Sequence, residues 1–431
     1  MFQFLTMKHR LLFVSFLFVV LLNIAQTNHT IPDLKKPTSF SSTRLQKAER
    51  VIQSWVDQNW MNGGVGLITR NGKVEFLKSF GYANVEKKIP MKTDHIFRIA
   101  SQTKAINSLA VMMLYEDGKF LLDEPVSKFI PEFKNPVVLD KFNEKDTTFT
   151  TVPAKREISI RDLLTHTSGI GYAQIGSPTA NAIYAKYGVV GGIGVKGIKL
   201  ADNIKKLGPL PLFHQPGEKY LYGLNTDVLG YLVEVVSGMS LDEFFRIKIF
   251  QPLGMKDTYF YLPKEKQSRL VTIYTQKNGV QSEMEEVYKI NGTFYRDYPN
   301  MNFDMFSGGG GLSSTITDYA IFLQMMLNGG EYNGVRLLSR NAVRMMTQNQ
   351  IGNISNGTDK FGLGFGIVTE SGSGKLPTNT GTYSWGGMFS TSYWVDPKEK
   401  IVGLFFTNIY PAEHGDMHDR FKVLMYQAIN E

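Results

Sequence analysis

Apolar positions along the chain fall into three patterns, and each predicts a different kind of element. The first is an unbroken run. Leu11 to Leu22 is apolar at nearly every one of its twelve positions, with Lys8 and Arg10 ahead of it. A membrane-spanning helix takes about 20 such residues. Residues 1–26 therefore read as a secretory signal peptide cut after Ala25 or Gln26, which predicts export to a periplasm or medium. A retained anchor over residues 11–22 is the alternative. The polar stretch 27–44 follows as a flexible lead-in.

The second pattern is short apolar runs bounded by turn residues. Gly63–Thr69 and Val74–Phe80 read as strands joined by Arg70-Asn71-Gly72-Lys73, because Asn-Gly accepts the positive φ of a tight two-residue turn. Near the other end, Thr382–Trp385, Ser390–Val395 and Ile401–Asn408 read as strands, with Asp396–Lys400 turning between the last two. The third pattern is helical spacing. It predicts helices over Gln46–Trp60, Gln102–Asp117, Thr226–Val236, Leu241–Ile249, Thr317–Leu327, Arg340–Gln348 and Asp416–Asn430.

Strands at both ends with helices between predict an α+β fold (α/β in the broad sense). One antiparallel sheet is built from both chain ends, flanked by helices and interrupted by a large helical insertion. The sheet part takes about residues 45–104 and 312–431, and the helical part about 105–311. Composition narrows the chemistry. The 431 residues include no cysteine, which excludes disulfides, thiolate metal sites and a cysteine nucleophile. The formal net charge of +8 is dispersed along the chain, without the interleaved basic and aromatic residues of nucleic-acid modules. Loss of the signal segment removes two basic residues and no acid.

Three stretches carry candidate chemistry. Ser101-Gln102-Thr103-Lys104 opens an apolar helix, where positions i and i+3 share a face and bring the Lys104 amine beside the Ser101 hydroxyl. A serine needs such a base, and a lysine serves if burial or a nearby cation depresses its pKa. The bland reading is an N-cap serine and a solvated lysine. Tyr220-Leu221-Tyr222 follows His214-Gln215-Pro216-Gly217; a phenol beside an ammonium can relay a proton, or simply be buried with its hydroxyl satisfied. Tyr383-Ser384-Trp385-Gly386-Gly387 lies on a predicted strand whose glycines permit close approach of a ligand, or merely a bulge.

Taken in order, these strings resemble the serine β-lactamase-like hydrolases: class C β-lactamases, penicillin-binding carboxypeptidases and family VIII carboxylesterases. Phe97–Lys104, Leu163-Leu164-Thr165-His166-Thr167-Ser168-Gly169, Gln215–Tyr222 and Ser307–Leu312 carry the resemblance. It spans about residues 45–430. It implies the β-lactamase/transpeptidase-like fold and an acyl-serine mechanism. Ser101 is the expected nucleophile, with Lys104 and Tyr222 moving its proton. The backbone N–H groups of Ser101 and Met388 are expected to hold the oxyanion. Asn225, Trp385, Gly386 and Gly387 are the expected substrate contacts.

Two departures bear on the substrate. The β-lactamase pattern Tyr-x-Asn meets leucine at 224, with asparagine one later at 225, and the late Lys-Thr-Gly is replaced by Trp385-Gly386-Gly387. The missing lysine removes a cation suited to a penicillin carboxylate, so a small ester is the favoured substrate over a β-lactam, an amide or a D-amino-acid peptide. No cofactor, metal or nucleic acid is implied, and a membrane only if residues 11–22 are retained. His414 and His418, with Asp416 between, are a weak metal candidate lacking a third ligand. His166 is expected to support its loop rather than serve as a base. An inactive binding protein on the same scaffold is the rival from another class, opposed by the presence of Ser101, Lys104 and Tyr222.

Overall fold

The computed structural model describes residues 39–289 and 293–430. They lie within a single unit, Ile31–Glu431. The signal-peptide reading falls outside the described residues.

The first helix, α1 (Ser42–Asp57), begins inside the expected lead-in because Ser41 caps it, accepting from the Arg44 N–H. Its buried face is Leu45, Ala48, Ile52 and Trp55. Trp60 lies beyond the helix and stacks on His414 at 4.4 Å. Strands β1 (Gly63–Arg70) and β2 (Lys73–Asn84) form the expected hairpin, with Asn71 and Gly72 at φ 52° and 74°. A short β3 (Ile89–Pro90) edges β2, and α2 (Thr103–Glu116) follows the Ser101 turn.

Further along come α3 (Asn225–Ser237) and α4 (Ile316–Leu327), then the edge strands β4 (Lys360–Phe361) and β5 (Gly366–Ile367). The late strands are β6 (Tyr383–Gly387), β7 (Thr391–Asp396) and β8 (Ile401–Phe406), and α5 (Met417–Tyr426) closes the fold. Among the described residues the main sheet runs β4-β5-β6-β7-β8-β1-β2-β3, antiparallel throughout. Its seam joins the chain ends, with β1 paired to β8 from Val65–Phe406 to Arg70–Ile401.

The alternation of side chains along β1 and β8 sorts two cores. Val65, Leu67, Val402, Leu404 and Phe406 enter the large core around α2 and α4. Ile68, Ile401 and Phe405 enter the smaller core under α1 and α5. Gly66 leaves room on that second face: a Cβ there would sit 2.9 Å from the Phe421 ring.

The region 105–311 departs from a purely helical insertion. It holds three two-stranded ribbons, 137–143 with 148–153, 274–277 with 280–283, and 287–289 with 293–295. The predicted helix Leu241–Ile249 is present and runs on to Leu253, though not as a regular α-helix. It widens into a π turn over Phe245–Phe250, ahead of Pro252, which has no N–H for the Lys248 carbonyl. No helix among the described residues is long and apolar enough to cross a membrane.

Candidate active site

Ser101 sits in a tight 3-10 turn, Ala100–Gln102, between the short strand Phe97–Arg98 and α2. Ala100 is held at φ 43°, a conformation costing an L-residue roughly 1–2 kcal/mol. The surroundings enforce it. Ile99 N–H donates to the Leu312 carbonyl, Leu312 N–H donates to Thr103 Oγ1, and the Tyr319 hydroxyl donates to the Gln102 carbonyl. Strain at a pinned turn projects the serine away from the core, where it reaches the cleft.

The expected i, i+3 pairing is present: Lys104 Nζ donates to Ser101 Oγ at 3.3 Å. The Tyr222 hydroxyl donates to the same oxygen at 2.8 Å. Lys104 Nζ also donates to the Gly309 carbonyl at 2.5 Å and the Tyr172 hydroxyl at 3.4 Å. Three acceptors match the three N–H bonds of an ammonium. The Tyr222 ring lies 4.8 Å from Nζ.

This environment reverses the expected sign for Lys104. Burial, with the residue only 1% exposed, favours the neutral amine. The oxygens of Tyr172 and Tyr222 and the buried Asp227 carboxylate outweigh it and raise its pKa above the ordinary lysine value. The depression by burial expected from sequence is thus present but outweighed, and no neighbouring cation adds to it. Burial keeps the Tyr172 phenol protonated, against the pull of Lys104.

Asp227 anchors this arrangement from below. It is wholly buried on α3, and its Oδ1 accepts from Ser307 Oγ at 2.6 Å and Gly309 N–H at 3.2 Å. The Gly309 residue thus joins the carboxylate at its N–H to Lys104 at its C=O. Glycine is required there, since a Cβ at 309 would meet Asp227 Oδ2 at 2.3 Å. Burial pushes the Asp227 pKa up, opposed by Lys104 and by its two hydrogen bonds.

The remaining predicted residues divide. His166 is buried and packs 4.8 Å from the Tyr222 ring, with Nδ1 facing Asn225 Nδ2 at 2.9 Å and the Gly223 N–H at 3.4 Å. Two donors on Nδ1 leave the other nitrogen to carry the proton. Burial first, and Lys104 second, hold its pKa well below the usual histidine value.

Asn225 is corrected from substrate contact to support. It is fully buried and spends its amide on His166 and its carbonyl on Ser168 Oγ at 2.5 Å. The one-residue shift from Tyr-x-Asn turns it away from the cleft. Trp385 is half-buried, 5.6 Å from the Tyr222 ring and 5.2 Å from Phe361. It lies beside the relay and is not among the cleft walls.

The glycine reading of β6 is also changed. The backbone that approaches Gly387 is the chain's own: a Cβ there would lie 2.3 Å from the Ile99 carbonyl oxygen. Gly386 would meet the Thr391 carbonyl at 3.2 Å. The glycines therefore let the end of β6 close onto the Ser101 turn, which sets Met388 at the same cleft as Ser101.

That cleft has a volume of about 140 Å³ and is walled by Ser101, Tyr172, Gln174, Ile175, Ile193, Phe294, Met388 and Tyr410. Sequence reasoning missed most of these, and Asp227 as well. Asp227 carried a signal, an acid in the middle of an apolar helical run. Ile193, Phe294 and Tyr410 carried none. Among the described residues no group of three His, Cys, Asp or Glu side chains is placed to hold a metal. His414 and His418 face different partners, Trp60 and Ser392 Oγ, because α5 starts only at Met417. The arrangement suits a hydroxyl nucleophile with a phenol and an ammonium in reach, opening on an uncharged cleft.

Comparison with known proteins extends this. A family model described as Beta-lactamase matches residues 48–426. Esterase EstB of Burkholderia gladioli is 29% identical over 86% of this chain and 93% of its own length. The solved structure of EstCE1, described as a hydrolase with promiscuous acyltransferase activity, superposes with a TM-score of 0.77 at 25% identity. That match covers 89% of this chain and 98% of that one. The octameric penicillin-binding protein homologue from Pyrococcus abyssi shares the fold at TM-score 0.61 and 24% identity. It covers 87% of this chain and 76% of that one.

Proposed function

The chain belongs to the Beta-lactamase family, and from that premise we propose that it hydrolyses small esters through an acyl-enzyme on Ser101. At the coarser level it is a serine β-lactamase-fold hydrolase with an esterase among its relatives. The observation that carries the finer reading is one constellation. Ser101 Oγ lies 2.8 Å from the Tyr222 hydroxyl and 3.3 Å from Lys104 Nζ, at a cleft walled by no charged side chain.

In this reading the reacting form has Tyr222 as a phenolate beside the Lys104 ammonium, and Ser101 Oγ attacks the ester carbonyl as its proton passes to the Tyr222 oxygen. The N–H groups of Ser101 and Met388 hold the oxyanion. The leaving alkoxide takes a proton back from the pair as the tetrahedral intermediate collapses. Water then attacks the acyl-serine, aided by the same groups, and frees the acid. Lys104 acts as a resident ammonium that stabilises negative charge at Tyr222 and Ser101, and Tyr222 is the atom nearest the moving proton.

A β-lactam or D-peptide carries a carboxylate, and the lysine of the late Lys-Thr-Gly pattern suited to receive it is replaced here by Trp385-Gly386-Gly387. Export of the chain, with residues 1–26 removed, belongs to the same proposal, supported by the charged start and apolar run. The test is turnover of p-nitrophenyl butyrate beside nitrocefin, for the wild type and Ser101→Ala. Ester cleavage at least tenfold faster than nitrocefin, abolished by the substitution, is expected; the reverse ranking would assign a β-lactamase.

A further inference from the structure

We propose that the cleft beside Ser101 is the acyl pocket of the enzyme and selects an uncharged aliphatic acyl group of about six carbons. This rests on the serine-esterase reading above and names its substrate class.

Direction comes first. The carbon bonded to Ser101 Oγ in the tetrahedral intermediate has three other substituents. The oxyanion points to the N–H groups at Ser101 and Met388. The leaving oxygen must face the proton donor, Tyr222. Neither Tyr222 nor Lys104 lines the cleft, whereas Ser101 and Met388 do. The cleft therefore lies on the third bond, where the acyl chain emerges.

Chemistry and size come next. The far walls are Ile193, Phe294 and the Met388 side chain, with Ile175 40% exposed at the mouth. An acyl group bearing a charge would lose its hydration there without a partner. The volume of about 140 Å³ is close to that of an apolar cavity of roughly 150 Å³ able to take a benzene ring, which has six carbons.

The walls are also fixed in place. A Cβ at Gly194 would lie 2.7 Å from the Phe294 ring, and one at Gly310 would lie 2.3 Å from Ile193 Cδ1. Phe294 is pressed further by Phe389 and Tyr298, with ring centroids at 5.5 and 5.9 Å. Two side chains, one from a turn and one from the ribbon 287–289 with 293–295, are thus clamped against glycine backbone on the floor of the pocket. Fixed walls give a length cut-off rather than a gradual preference.

The experiment is a chain-length series of p-nitrophenyl esters, acetate to decanoate, on the mature protein. The kcat/KM should rise about fourfold per methylene, the gain expected from burying one CH₂. It should peak near six carbons and then fall. Phe294→Ala should move the peak to longer chains. Ile175→Trp, at an exposed position that leaves the fold alone, should move it to shorter ones. If Phe294→Ala does not fold, Ile175→Trp carries the test. A second series with the acyl group fixed as acetate and the alcohol varied should keep its ranking in both variants. A flat length profile, unmoved peaks, or variant effects that follow the alcohol would overturn the proposal. Absence of ester turnover, with Ser101 unlabelled by a fluorophosphonate, would instead remove the esterase reading beneath it.

Discussion

The two flanks of Ser101 are built on opposite principles. On one side Lys104, Asp227 and His166 are almost wholly buried, and their charges and hydrogen bonds are tied to one another through Gly309, Tyr222 and Asn225. On the other side, Ile175, Ile193, Phe294 and Met388 wall a cleft that holds no charged side chain. The polar flank comes from α2, α3 and the loops around His166, Tyr222 and Gly309, with every partner locked to a particular atom. The apolar flank is gathered from five separate stretches of chain and sets shape only. The difference separates two properties: the first flank governs whether the reaction runs, and the second governs what it runs on. Substitutions on the two flanks should therefore fail in different ways.

The largest effect is expected at Tyr222. Tyr222→Phe removes the hydroxyl 2.8 Å from Ser101 Oγ and keeps the ring that packs on His166 and Trp385. Loss of a positioned proton carrier typically costs about 10²- to 10⁴-fold in turnover. The thermal midpoint and the preferred acyl length should stay as in the wild type. A shifted length preference would merge the two flanks and break the comparison.

The flanks also differed in how far the sequence revealed them. Ser101 and Lys104 are tied by helical spacing, so their contact follows from three residues of chain. The Asn71-Gly72 turn and the strands at both ends were legible for the same reason, since short-range rules decide them. Asn225 was not. Its orientation depends on Gly223, where a Cβ would lie 2.0 Å from the Ile170 carbonyl oxygen, so the chain there is set by a loop fifty residues earlier. The sign of the Lys104 shift was missed because Tyr172 and Asp227 reach it only through tertiary packing. The ribbon 137–143 with 148–153 lies mostly exposed and has no alternating apolar face to announce it. Phe294 and Ile193 meet across about a hundred residues, and no local pattern joins them.

A middle-sized effect should come from Asp227→Asn. The amide keeps an oxygen for Ser307 and the Gly309 N–H but removes the charge that favours the Lys104 ammonium. A loss near tenfold in acylation rate, about 1.4 kcal/mol of barrier, is expected. Single-turnover burst rates with p-nitrophenyl butyrate measure it. Wild-type rates would mean that Asp227 holds the Gly309 loop and nothing more, and that the polar flank ends at Lys104.

The smallest effect is on stability, and it separates the flanks by pH. His166 has a pKa held well below 6.5 in the folded protein, by burial and by the Lys104 ammonium. The sign follows from proton uptake. Below about pH 6.5 the unfolded chain binds a proton at this position and the native state refuses it, so stability falls as the pH falls. The slope from this residue approaches one proton, about 1.4 kcal/mol per pH unit, and vanishes above pH 6.5. His166→Asn is the apt variant. Residue 166 sits at φ 56°, a conformation asparagine tolerates, and its side-chain oxygen can take the place of Nδ1 toward Asn225. Urea midpoints at pH 7.5, 6.5 and 5.5 should drop less steeply for the variant than for the wild type. The Phe294→Ala variant, which alters no titrating group, should run parallel to the wild type at a constant offset. Equal slopes for His166→Asn and the wild type would mean that His166 accepts its proton in the folded state, against both burial and the Lys104 ammonium.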